Sequence, residues 1–135
     1  MKKSPLKVLV IDDDPVMVRL ASNLLKNDGY EVIQAYNGKE GLRKAQEEKP
    51  NLVLLDILMP DLDGKEVARR LRADPLTADI PIVFMTVTID LKTDKGDQTI
   101  DIDRFSFRGF AKPIHNRKIL SVIRKEINKS VHGNK

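Results

Sequence analysis

The chain has no cysteine and no tryptophan. Without cysteine, disulfides, thiolate metal sites and cysteine nucleophiles are all excluded. Aromatic residues make up only 4% of the 135 positions, two Tyr and four Phe, which leaves little for stacking on nucleic-acid bases. No apolar run approaches the roughly 18 residues that a membrane span needs. The basic start, MKKSPLKVLVIDDD, has an apolar segment too short for a signal peptide, and it runs directly into acids. Nor is charge of one sign dominant: 24 Lys and Arg oppose 20 Asp and Glu, for a net +4. The cations are scattered, with a modest gathering in NRKILSVIRKEINKS, and a solvated helix face accounts for them better than a nucleic-acid site.

What is present is a 41% hydrophobic, 33% charged chain without internal repeat, low-complexity tract or linker. That composition fits one domain over residues 1–135, with a core over about 5–129 and a frayed tail over about 130–135. No further module is read after the last helix. A reducing, cytoplasmic setting is the expectation.

LKVLVID, residues 6–12, reads as a strand buried on both faces. Pro15 can open a helix whose apolar residues Met17, Leu20, Ala21, Leu24 and Leu25 recur at three-and-four spacing, and Gly29 stops it. EVIQA is a second strand, Asn37 caps a helix over about 38–48, and NLVLLD is a third strand. A helix over about 65–72, a strand over 80–86, a strand ending near Gly109 to Lys112 and a last helix carrying Ile119, Leu120, Ile123 and Ile127 follow. Alternating strands and helices predict a parallel sheet covered on both faces. One region breaks the alternation. Over about 88–106, Ile89 and Leu91, then Ile100 and Ile102, alternate with polar residues around Asp94-Lys95-Gly96-Asp97, which predicts a hairpin or irregular loop in place of a helix.

In an open parallel sheet, sites form at the carboxyl ends of the strands. Those ends carry Asp12, Asp13 and Asp14 on the first strand, Asp56 on the third, Thr86 on the fourth and Lys112 on the fifth. Two carboxylates about 4 Å apart repel by roughly 4 kcal/mol at an effective dielectric of 20. Such a rim needs a cation, or one acid must hold a proton. Hard oxygen donors without a His or Cys partner suit Mg²⁺ or Mn²⁺. Asp14 is the acid expected to serve as a helix cap instead. Beside a cation, a carboxylate held at a strand end can act as a nucleophile toward phosphorus, with Lys112 and the Thr86 hydroxyl on the other phosphoryl oxygens. His115 and His132 lack ligand spacing to any partner, and Met17, Met59 and Met85 read as packing.

VLVIDDDP, KPNLVLLDILMPDLDG, IPIVFMT and AKPI, in that order, resemble the receiver domains of two-component response regulators, the CheY-like family. The resemblance implies a flavodoxin-like, doubly wound, five-stranded parallel sheet of order 2-1-3-4-5. It implies that Asp56 is the phosphoacceptor, that Asp13, Asp56 and the backbone carbonyl of Leu58 hold Mg²⁺ with Asp12 helping through water (Mn²⁺ is an alternative), and that Thr86 and Lys112 bind phosphate and switch. It further implies a sensor histidine kinase or histidine phosphotransfer protein as donor and an unnamed downstream protein as target, with no direct nucleic acid or membrane partner. The chain would catalyse only its own phosphorylation and dephosphorylation.

Three departures from the family pattern stand out. Val87 follows the switch hydroxyl where a small residue is usual, which predicts slow exchange with small donors and slow hydrolysis. Gly109 stands where the family often has a switch aromatic, with Phe107 and Phe110 read as core residues. The 86–112 segment is long and lacks a clear fourth helix, a common part of the family's output face. Two other readings are carried: a receiver-like interaction domain that does not switch with phosphate, and an aspartyl-phosphate phosphohydrolase. The second usually needs an acid two residues past the nucleophile, where Leu58 stands.

Overall fold

A computed structural model describes residues 5–86, 98–112 and 117–132. The elements in chain order are β1 (Lys7–Ile11), α1 (Pro15–Asn27), β2 (Glu31–Ala35), α2 (Gly38–Glu48), β3 (Leu52–Asp56), α3 (Gly64–Ala73), β4 (Ile82–Thr86), β5 (Gln98–Ile102), β6 (Phe105–Ala111) and α4 (Lys118–His132). They form a flavodoxin-like α/β fold around one six-stranded sheet of order β2-β1-β3-β4-β6-β5. All neighbours are parallel except β5 and β6.

The apolar runs of β1, β3 and β4 are buried on both faces because successive side chains point to opposite sides of the sheet. Val8, Val10, Leu52, Leu54, Val83 and Met85 pack on one side with Val18, Ala21 and Leu25 of α1 and Ile119, Ile123 and Ile127 of α4. Leu9, Ile11, Val53, Leu55, Ile82 and Phe84 pack on the other with Ala45 of α2 and Val67, Ala68 and Leu71 of α3. The caps follow the sequence. Asp14 accepts from the Val16 amide at 2.9 Å, and Asn37 accepts from the Glu40 amide at 2.8 Å. Gly29, at φ 96°, ends α1 in a conformation that side chains resist. On α1 the buried stripe is Val18, Ala21, Ser22 and Leu25; Leu20, expected to face inward, is 42% exposed.

The sheet has six strands where five were expected. The strand that carries the fifth position of the expected order is β6, and it starts at Phe105, well before Gly109. β5 is an added antiparallel edge, paired Gln98↔Gly109 through Ile102↔Phe105. A hairpin of β5 and β6 turns at Asp103 and Arg104. The driving pattern is Ile100, Ile102, Phe105 and Phe107, whose alternation presents one apolar face to α3. Phe107 meets Phe84 edge to face at 5.5 Å. Ile89, Leu91 and the Asp94–Asp97 turn lie outside the described residues, as do Val87, Pro113 and His115. Among the described residues, no helix lies between β4 and β6. α4 runs three residues past Lys129, and Ser130, expected to fray, donates to the Asp79 carbonyl at 3.1 Å.

Candidate functional site

The strand register assembles the site. The chain passes from β1 out to β2 and then back across to β3, so the carboxyl ends of β1 and β3 flank the point where winding reverses, and a crevice opens there. Ile11 pairs with Leu55, so Asp12 and Asp56 each stand one step further along adjacent parallel strands. Asp56 in turn pairs with Met85, one residue before Thr86, and Thr86 pairs with Ala111, one residue before Lys112. Asp12, Asp56 and Thr86 are all buried, with 0%, 3% and 1% of their surface exposed.

Carboxylate oxygens of Asp12, Asp13 and Asp56 lie within 4.8 Å of one another, with Asp13 on the solvent side. Lys112 Nζ sits 2.9 Å from Asp12 Oδ2 and 3.5 Å from Asp56 Oδ1. Burial pushes the Asp56 carboxyl up to about 7, the adjacent Asp12 carboxylate pushes the same way, and Lys112 opposes both. Burial lowers the Lys112 pKa, but its contacts with Asp12 and Asp56 outweigh that and leave it raised.

One oxygen is under-satisfied. Asp12 Oδ1 accepts from the Asp14 amide at 3.0 Å, whereas buried Asp12 Oδ2 has no hydrogen-bond donor. The Lys112 ammonium 2.9 Å away is its ionic neighbour. Three carboxylates against one ammonium, with a lone pair unused, fit a hard divalent cation such as Mg²⁺ or Mn²⁺. Leu58 is 52% exposed on the loop beyond Asp56.

That loop is held by residues whose part was not legible in the sequence. Asp61 accepts from the amides of Gly38 at 3.0 Å and Lys39 at 3.1 Å, tying the loop to the N-terminus of α2. Its modest burial raises the carboxyl pKa, but these backbone donors outweigh it, and the net shift is downward. Gly64 lies at the end of that loop, where α3 begins. It serves close approach: its amide donates to the Ile57 carbonyl at 2.7 Å, and a Cβ there would overlap the Asp56 carbonyl oxygen. Gly109, at the expected aromatic position, pairs with Phe84 inside the sheet, and Phe107 and Phe110 are both core residues as expected.

The model of the family described as the response regulator receiver domain matches residues 8–124. The chain belongs to that family. The receiver domain is 34% identical over 124 residues to the alkaline phosphatase synthesis transcriptional regulatory protein PhoP of Bacillus subtilis, covering 92% of this chain and 49% of that protein. It is 39% identical over 89 residues to protein PilH of Pseudomonas aeruginosa, covering 66% of this chain and 73% of that one. The chain thus spans about half the length of PhoP. Among solved structures, a CheY-like response regulator receiver domain protein from Methanospirillum hungatei aligns over 97% of this chain and 100% of its own, with a TM-score of 0.77 at 24% identity. The receiver domain of a sensor histidine kinase from Pseudomonas aeruginosa, solved with magnesium coordinated in its active-site cleft, aligns over 93% and 99%, with a TM-score of 0.76 at 23% identity. At these identities, the two structures establish the fold. Among the described residues, no helix is long and apolar enough to cross a membrane.

Proposed function

We propose that this receiver domain accepts a phosphoryl group on Asp56 from a phosphohistidine of a sensor histidine kinase or phosphotransfer protein, in a cytoplasmic relay, and that the modified domain presents an altered surface to a downstream protein. The observation that carries the proposal is the placement of buried Asp56 beside Asp12, Asp13 and Lys112 at one rim. A carboxylate oxygen of Asp56 attacks phosphorus; the new P–O bond forms as the donor's N–P bond breaks, and the electron pair leaves on the imidazole nitrogen. Lys112 is placed to hold a phosphoryl oxygen, and Thr86, at the adjacent strand end, to hold another.

Asp12, Asp13, Asp56 and the Leu58 carbonyl are the proposed Mg²⁺ ligands. Bound there, the ion supplies positive charge that neutralises phosphoryl oxygens and lowers repulsion among the acids. Deprotonated Asp56 is the reactive form, and Lys112 favours it. A bias of a few kcal/mol between two surface states is enough for such a switch.

The test is incubation with acetyl phosphate and Mg²⁺, followed by mass spectrometry. The expected result is one added phosphoryl group, absent in Asp56→Asn and in chelator. A second reading, a receiver-fold interaction domain insensitive to phosphate, draws on Gly109 and the β5–β6 hairpin, which depart from the family's switch aromatic and fourth helix. Full phosphorylation with no change in amide chemical shifts beyond the site would favour that reading.

A further inference from the structure

The β5–β6 hairpin creates a cleft of about 520 Å³ against α3, lined by Arg69, Arg72, Ala73, Asp103, Arg104 and Phe105. None of the acidic-rim residues lines it. Three arginines line it beside a single acid, Asp103, with Glu66 behind Arg69.

Two of the arginines have structural work. Arg69 pairs with Asp103 at 3.2 Å and with Glu66 at 3.3 Å, which pins the hairpin turn to α3. Arg72 donates to the Ile80 carbonyl at 2.7 Å and lies over the rings of Phe107 and Phe105, at 5.3 and 5.9 Å. It has no ion-pair partner among the described residues. Burial lowers its pKa, with Asp79 opposing. Arg104 is exposed, lies 5.5 Å over Phe105, and also has no ion-pair partner among the described residues. Holding the hairpin in place explains Arg69 and Arg72 but not Arg104.

The chemistry of the cleft is specific. Guanidinium forks match phosphate oxygens in pairs, and their planes stack on flat rings. The Phe105 ring and Ala73 supply an apolar wall. The volume lies within the range of small-molecule sites, so a bare inorganic anion would leave most of it unfilled. We propose that this cleft binds a nucleotide, its phosphate held by Arg104 and Arg72 and its base lying against the Phe105 wall.

Calorimetric titration of the full chain with AMP, GMP, CMP and UMP tests this, with inorganic phosphate and hexaglutamate as comparison probes. The expected result is saturable binding of at least one nucleotide. Arg104→Glu should weaken it by about tenfold or more, the loss of one charge-assisted contact. Inorganic phosphate should bind more weakly than that nucleotide. Arg104→Gln, which keeps size and loses charge, should weaken it as well, and melting curves show that both variants are folded. No saturable binding at millimolar nucleotide overturns the proposal, as does hexaglutamate binding tighter than every nucleotide. Binding that Lys112→Met abolishes while Arg104→Glu leaves intact would place the phosphate at the acidic rim, and also overturns it.

Discussion

Lys112 Nζ lies 2.9 Å from Asp12 Oδ2, a buried oxygen with no hydrogen-bond donor of its own. The two residues are 100 positions apart in the numbering and meet only because β1, β3, β4 and β6 are parallel and in register. The ammonium is the only cation the described residues place within ion-pair distance of Asp12 or Asp56.

Removing that cation leaves buried acids unpaired. Lys112→Met should destabilise the metal-free protein by about 3 kcal/mol at pH 8, the scale for breaking a buried pair from one side. At pH 6 the loss should be smaller, because Asp56 then holds a proton. Urea unfolding at the two pH values, in chelator, measures both.

The Asp56 carboxyl titrates at about 7 in the folded chain against an ordinary 3.8. Between those values the folded state holds more proton than the unfolded state. Metal-free stability should therefore fall as pH rises from 3.8 to about 7, and this contribution should change no further above that. Asp56→Asn should lack the slope. Mg²⁺ should raise the melting temperature more at pH 8 than at pH 6, since it competes with the proton for the same oxygens. Thermal melts with and without chelator check each point.

A Cβ at position 64 has no room, because its neighbours are backbone atoms of Asp56 and Ile57 that cannot turn aside. Gly64→Ala should cost about 2 kcal/mol, in the range of overpacked cores, and should shift the loop that carries Leu58. Chemical denaturation reads the first effect, and the amide shifts of residues 57–63 read the second.

Asp103 holds φ 56° at the hairpin turn and pairs with Arg69. Asp103→Gly and Asp103→Ala both lose the exposed ion pair, worth at most about 1 kcal/mol. Only Ala also carries a Cβ in the left-handed region, at a further cost of about 1 kcal/mol. Ala should therefore be less stable than Gly by about that amount, which paired melting curves would show.

The sequence by itself determined the apolar strands, the helix caps at Asp14 and Asn37, and the acids, hydroxyl and ammonium at the strand ends. Those features are local: a period of two or of nearly four, a cap and its helix, a charge that ends an apolar run. The tertiary structure decided the rest. Asp-Arg is not a sequence pair that announces a turn, so the hairpin bend at Asp103 became visible only once Ile100, Ile102, Phe105 and Phe107 had a common face to bury against α3. The reason glycine is needed at position 64, the contact of Asp61 with α2 and the gathering of three arginines beside Phe105 each depend on segments far apart in the chain. Packing brings such groups together because burial of apolar surface rewards compactness, whatever the separation along the backbone.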